Sequence, residues 1–271
     1  MDAPVTELEF AQSKILVRIA DGVGRIVFNQ PEKRNAMSIA MWDGLVQALD
    51  RFAADAAVRV IVLEGAGDKA FVSGADISQF EAQRSDAEAQ RSYERLTAAG
   101  RQKLTQCRKP VIAKIRGFCL GGGLGLAMSA DLRIAAEDAL FGIPAARLGL
   151  AYGFDMVRVL TGLVGPAHAR MMLYSGERID AREAERIGLV NRVVPTEALE
   201  AAVATLAATL AGNAPLTIRA AKLTVTAALQ DEAARDMAAV QAAFAACFDS
   251  ADYREGRRAF MEKRRPAFTG Q

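Results

Sequence analysis

Residues 110–127 constrain this chain more than any other stretch. Pro110 introduces the apolar run Val111-Ile112-Ala113-Lys114-Ile115, and the chain then reaches Gly121-Gly122-Gly123, followed by Leu124-Gly125-Leu126-Ala127. The pattern is a strand, a loop, and a helix whose first turn is nearly all glycine. A helix start offers unpaired N–H groups with a partial positive charge, and residues without a Cβ let a ligand approach them. The segment therefore reads either as a site for an oxyanion or as a tight packing contact. A dinucleotide fingerprint started at Gly121 or Gly123 would put Leu126 or Met128 where its last glycine belongs, so that reading is weak.

The flanking sequence embeds this segment in an α/β pattern. Residues 14–20 and 25–29 are runs rich in Ile and Val separated by Asp21-Gly22-Val23-Gly24, which predicts a β-hairpin. Ser38 stands before a stretch in which Met41, Leu45, Leu49 and Phe52 recur at helical spacing, so it is the expected N-cap of a helix over 39–53. Strands are expected at 58–64, 111–115, 132–135 and 189–194, with a short apolar piece at 140–142. A polar helix is expected within 79–106. Helices dominate after Gly153, at 166–174, 180–188, 196–212, 215–229 and 231–248. The expected organisation is an α/β core over 1–195 and a helical region over 196–271.

Composition narrows the function classes. Lys and Arg number 34 against 32 Asp and Glu, a formal net charge of +2, so no global field draws the chain to nucleic acid or to a membrane. The three cysteines, Cys107, Cys119 and Cys247, have neither disulfide-framework nor zinc-site spacing. A reducing, cytoplasmic setting without a metal follows as the expectation. The first residues carry no basic and apolar segments of the kind a signal peptide needs. The most apolar stretch, 115–130, is short of a membrane span and contains Arg116. The only histidine, His168, sits in a predicted helix and is expected to pack rather than react.

A second segment gives the glycine run a partner. Lys69-Ala70-Phe71-Val72-Ser73-Gly74-Ala75-Asp76-Ile77 follows the strand at 58–64 and reads as a turn opening a helix. This loop and the later Gly-Gly-Gly helix start resemble the paired oxyanion-hole segments of the crotonase (enoyl-CoA hydratase/isomerase) superfamily. Gln30-Pro31-Glu32-Lys33-Arg34-Asn35-Ala36-Met37 is similar to that family's first CoA-contacting loop, residues 188–194 to its late strand, and residues 255–268 to its C-terminal helix. The resemblance implies a crotonase-like fold of repeated β-β-α units with a C-terminal helical trimerisation region, assembled as a homotrimer or dimer of trimers. It also implies an acyl-CoA substrate, with coenzyme A as part of that substrate and no separate cofactor. Carried over, the oxyanion hole is the backbone amides of Ala75 and Gly122. Substrate contacts are expected from Arg34, Ala36, Ser73, Ala75, Asp76, Ile77, Gly122, Phe260 and Lys263, with Asp76 expected to brace its loop.

The resemblance also locates a departure. The positions at which hydratases of the family place two glutamates are Gly125 and Ala145, and neither side chain can move a proton. Two other groups, Tyr152 and Asp155, lie in the part of the chain where divergent relatives, among them dienoyl-CoA isomerases and naphthoate synthases, keep an acid or base. Asp155 has a competing structural role as the N-cap of a helix over 156–163, and Tyr152 as part of the acyl-pocket wall. Cys119, before the glycine run, is expected to pack. Two function classes remain. One is an acyl-CoA enzyme, a lyase or isomerase that stabilises an enolate; the other is an acyl-CoA binder with little or no residual activity. A nicotinamide oxidoreductase is the third and weakest alternative.

Overall fold

The computed structural model describes residues 6–76 and 87–271. In chain order the strands are β1 (Thr6–Phe10), β2 (Ile15–Ala20), β3 (Val23–Phe28), β4 (Val60–Gly65), β5 (Ala70–Val72), β6 (Val111–Ile115), β7 (Phe118–Leu120), β8 (Leu132–Ala136), β9 (Leu140–Gly142), β10 (Arg178–Asp180) and β11 (Arg192–Val194). The helices are α1 (Ile39–Ala54), α2 (Ala87–Thr105), α3 (Gly122–Met128), α4 (Phe154–Ser175), α5 (Ala181–Arg186), α6 (Leu199–Gly212), α7 (Pro215–Ala228), α8 (Met237–Asp249) and α9 (Ala251–Met261). The α/β class expected from the alternation is the one observed.

A seven-stranded sheet runs in the order β1-β2-β3-β4-β6-β8-β11, and a four-stranded sheet in the order β10-β9-β7-β5. Pairing is antiparallel across β1-β2-β3 and parallel from β3 to β11. The hairpin turn is shorter than the four residues expected. Asp21 and Gly22 alone make it, both at positive φ (51° and 79°), as a two-residue turn matched to strand twist requires. Gly24 belongs to β3, where a Cβ would stand 2.7 Å from the Phe52 ring.

The repeated unit is a strand in the large sheet, a strand in the small sheet, then a helix. The segment between β6 and α3, expected to be a loop, carries β7. Arg116 and Gly117 take the chain from one sheet to the other, with Gly117 at φ 60° and a Cβ there only 2.1 Å from the Lys69 carbonyl oxygen. β4 and β5, and β8 and β9, repeat the crossing. Each crossing delivers the end of a short strand, and whatever follows it, to the same side of the small sheet.

Ser38 caps α1 as expected, its Oγ accepting a hydrogen bond from the Met41 N–H at 3.3 Å. Met41, Trp42, Leu45, Leu49 and Phe52 form the buried face of that helix. The opposite face of the large sheet is closed by α6, whose Leu199, Val203 and Ala207 pack on Val60, Val62, Ile112 and Ile134. Two helical expectations need correction. The helix expected over 231–248 is split, because Asp236 caps α8 by accepting from the Ala239 N–H at 2.9 Å and leaves a separate 3-10 turn at Glu232–Ala234. The helix expected to begin at 156 begins at Phe154 behind Gly153, so Asp155 lies in the first turn and is not its cap. Among the described residues no single helix is long and apolar enough to cross a membrane.

Asn35 ties the loop over 30–37 to the β4–β5 crossing. It is fully buried, sits at φ 56°, donates from Nδ2 to the carbonyls of Ala66 (2.9 Å) and Ala70 (2.8 Å), and accepts from the Gln30 N–H at 3.0 Å. Asn35→Ala strands these groups and leaves a Cβ residue in the left-handed region. The expected loss is about 3 kcal/mol, read as a lower chemical-denaturation midpoint; an unchanged midpoint would refute this account.

Candidate active site

The three glycines at the start of α3 serve three different needs. Gly121 adopts φ 49° and ψ −116°, a conformation closed to ordinary L-residues. Gly123 lies against β5 so closely that a Cβ would stand 2.0 Å from the Val72 carbonyl oxygen. Gly122 has room: the nearest atom to a Cβ built there is the Ala75 nitrogen, at 3.8 Å. Packing therefore accounts for Gly123, while Gly122 leaves open space beside the Ala75 nitrogen.

The close approach at Gly123 brings the Gly122 amide beside the amide of Ala75. In the first turn of a helix, the Gly122 N–H has no intrahelical acceptor. Ala75 bridges Met37, but the ladder uses its neighbours: Met37 N–H donates to Gly74 O (2.8 Å) and Asp76 N–H to Met37 O (3.0 Å). The Ala75 N–H is therefore left pointing away from the bridge, and among the described residues neither amide donates a hydrogen bond to the protein backbone outside regular elements. Ser73 N–H also donates to Arg34 O at 3.1 Å, and Lys33 Nζ meets Asp76 Oδ2 at 2.8 Å. The loop over 30–37 thus clasps the Ala75 loop, and Asp76 braces it as expected.

Ala75 and Gly122 open onto a cavity of about 790 Å³. Ser73, Gly125, Ala145, Tyr152 and Asp155 line it too. The Tyr152 hydroxyl donates to the Gly121 carbonyl oxygen at 3.0 Å. A Cβ at Gly125 would stand 3.2 Å from that hydroxyl and 3.0 Å from Met156 Cε. Tyr152 and Met156 therefore occupy the room that a larger side chain at 125 would enter. Burial pushes the Tyr152 hydroxyl well above the usual phenol range, against the pull of Arg101. It therefore stays protonated at neutral pH. Cys119 is fully buried with its thiol pushed up by desolvation, consistent with packing.

Cavity residues that the sequence reading did not single out include Trp42 of α1 and Arg91, Arg95 and Arg101 of α2. Trp42 looked like one more core position at helical spacing, and Arg101 like one more charge on a polar helix. The available signal was Gly100, since a glycine inside a helix needs a reason. A Cβ there would stand 2.6 Å from the Trp42 ring.

Other expected site residues lie elsewhere. Arg34 stacks on the Phe118 ring at 5.1 Å, and Ala36 is buried. Neither they nor Asp76 line the cavity. Phe260, 82% exposed, and Lys263 stand at the end of α9 and also lie outside it. Ile77 and the helix expected to follow it lie outside the described residues. Among the described residues no cluster of His, Cys, Asp or Glu could hold a metal ion.

The sequence profile of the family described as Enoyl-CoA hydratase/isomerase matches residues 18–271. The chain belongs to that family. It is 37% identical over 261 residues to a crotonyl-CoA hydratase of Syntrophomonas wolfei, covering 95% of this chain and 98% of that one. It is 35% identical to a short-chain-enoyl-CoA hydratase of Clostridium acetobutylicum, over 90% and 92% of the two chains. A crystal structure of an enoyl-CoA hydratase/carnithine racemase from Magnetospirillum magneticum superposes with a TM-score of 0.91 at 34% identity, over 95% and 96% of the chains. These similarities place residues 18–271 in the crotonase superfamily, a family of lyases and isomerases, and give the chain its fold.

The glycines give a direct test of the geometry. Gly123→Ala should destabilise the protein by about 3 kcal/mol or more through backbone overlap. Gly122→Ala, with open space before it, should stay within about 1 kcal/mol of wild type. Equal melting curves for the two variants would contradict the placement of α3 on β5.

Proposed function

We propose that this enoyl-CoA hydratase/isomerase family member binds an acyl-CoA thioester with its carbonyl oxygen between the amides of Ala75 and Gly122. The observation that carries this reading is the meeting of two amides without backbone acceptors in one cavity wall, beside a protonated tyrosine. As an enolate forms, charge moves onto the thioester oxygen and the two N–H donors hold it. Each such donor contributes about 3 kcal/mol of transition-state stabilisation. The donors are rigid because α3 is seated on Val72 and the Ala75 loop is clasped by residues 33–37.

Proton transfer falls to different groups from those of a two-glutamate hydratase. Gly125 and Ala145 carry no proton, and Glu94 and Asp155 are the carboxylates among the described lining residues. Tyr152, held protonated by burial, suits delivery of a proton to an enolate carbon and does not suit ionising water. Asp155, in the first turn of α4, is the candidate base. The chemistry favoured is therefore enolate formation followed by protonation, in an isomerase- or decarboxylase-like reaction, with hydration slow.

Purified protein should hydrate crotonyl-CoA about a hundredfold or more slowly than the Clostridium acetobutylicum relative under the same conditions. It should nevertheless bind butyryl-CoA and exchange that ligand's α-hydrogen with D2O. Tyr152→Phe should cut the exchange rate about a hundredfold while changing the thioester Kd little. Rapid wild-type hydration, indifferent to Tyr152→Phe and Asp155→Asn, would displace both residues from their roles. Binding without exchange would favour a non-catalytic acyl-CoA binder.

The C-terminal region supports the second part of the proposal, a homotrimer or dimer of trimers. Val225 on α7, Leu229 at its C-terminal cap and Phe244 on α8 are 60%, 75% and 65% exposed, more apolar surface than a monomer ordinarily leaves open. Phe260 and Lys263, outside their own chain's cavity, would reach CoA from a neighbouring copy. Sedimentation should show an assembly of three or six chains, and Phe244→Glu should weaken it. Lys263→Ala should bind CoA less tightly at low salt; a stable wild-type monomer would overturn the assembly.

A further inference from the structure

We infer that the acyl group taken by this site carries a second carboxylate, received by the Arg101 guanidinium together with the Trp42 indole N–H. The inference rests on the acyl-CoA reading above and adds the substrate class to it.

Arg101 lines the cavity and makes no hydrogen bond or ion pair among the described residues; its contact is the Trp42 ring, 6.0 Å from the guanidinium carbon. Trp42 lines the same cavity, is 2% exposed, and its Nε1 has no hydrogen-bond partner. A buried N–H without an acceptor is rare in a folded protein and calls for a reason. Here two donors of adjacent helices, one of them cationic, lack acceptors, and both residues line one cavity. The arrangement is built: α2 comes down on the indole at Gly100, where a Cβ would meet the ring at 2.6 Å, and the next residue is Arg101.

The chemistry of the pair selects the ligand. A planar guanidinium with several N–H groups, beside a single indole donor, matches a planar acceptor with two oxygens. An aliphatic acyl group would strip water from Arg101 and return nothing. Burial works against the charged guanidinium, while the Asp155 and Glu94 carboxylates favour it without a contact that would neutralise it. Arg101 lines the same cavity as Ala75, Gly122 and Tyr152. An acyl group that runs from Ala75 and Gly122 into that cavity would bring a second carboxylate to Arg101, as in a dicarboxylic acyl-CoA.

The test is calorimetric titration of wild type with butyryl-CoA and succinyl-CoA, which share the CoA moiety and differ at the acyl terminus. Succinyl-CoA should bind about tenfold more tightly. Arg101→Met should remove that preference while retaining butyryl-CoA binding, Arg101→Lys should keep part of it, and Trp42→Phe should reduce it. Equal wild-type affinities, or a preference that survives in Arg101→Met, would overturn the inference and leave the acyl-CoA reading standing. So would tighter butyryl-CoA binding on addition of sodium acetate, since a free carboxylate would then be the occupant. If neither thioester binds, the acyl-CoA reading falls and the inference with it.

Discussion

Everything in the site depends on how near a helix backbone can come to a strand. At Gly123 the first turn of α3 lies so close to β5 that only a residue without a Cβ fits beneath the Val72 carbonyl. One residue earlier, the Gly122 amide is thereby set beside the amide of Ala75, which β5 itself leads into. Both donors are fixed by the packing of one helix on one strand, and neither needs a side chain. Backbone donors held this way undergo no reorganisation when charge appears before them.

The crossing between sheets places this contact. Gly117 can turn the chain out of the large sheet because it tolerates a positive φ and a contact with Lys69 that excludes any side chain. The same strand–strand–helix unit, repeated, aims Ala75, Gly122 and the segment after β9 at one cavity. Asn35 then locks the loop over 30–37 onto the first crossing by hydrogen bonds to Ala66 and Ala70. The loop over 30–37, the Ala75 loop and the sheet crossing are consequently one mechanical unit.

What was legible in the sequence divides along physical lines. Local rules found the Ser38 cap, the hairpin around Asp21-Gly22 and the two segments that supply Ala75 and Gly122, because each has its cause in adjacent residues. β7 was missed because three residues of strand make no periodic pattern. The Asp155 cap was wrong because Gly153, two residues earlier, starts the helix without a side-chain cap. Trp42 and Arg101 were invisible as site residues because their juxtaposition comes from α1 and α2 packing across Gly100, a contact spanning distant parts of the chain. The sequence also presented Gly125 as a bare loss. In the fold, the Tyr152 hydroxyl, a neutral donor, and Met156 stand in the space beside it.

That loss and the presence of Arg101 act in the same electrostatic direction. Carboxylates at 125 and 145 would set negative charge on the wall that faces the thioester, and a carboxylate-bearing acyl group would be repelled by them at short range in a water-poor cavity. With glycine and alanine there, a protonated Tyr152 nearby and a guanidinium without a contacting counter-ion, the same wall becomes hospitable to an anion. Asp155 and Glu94 temper the field and help keep Arg101 charged without touching it. The uncharged residues at 125 and 145 and the Arg101 guanidinium, one of the cavity's arginines with Arg91 and Arg95, thus act in the same direction on the proposed substrate, one that brings its own negative charge.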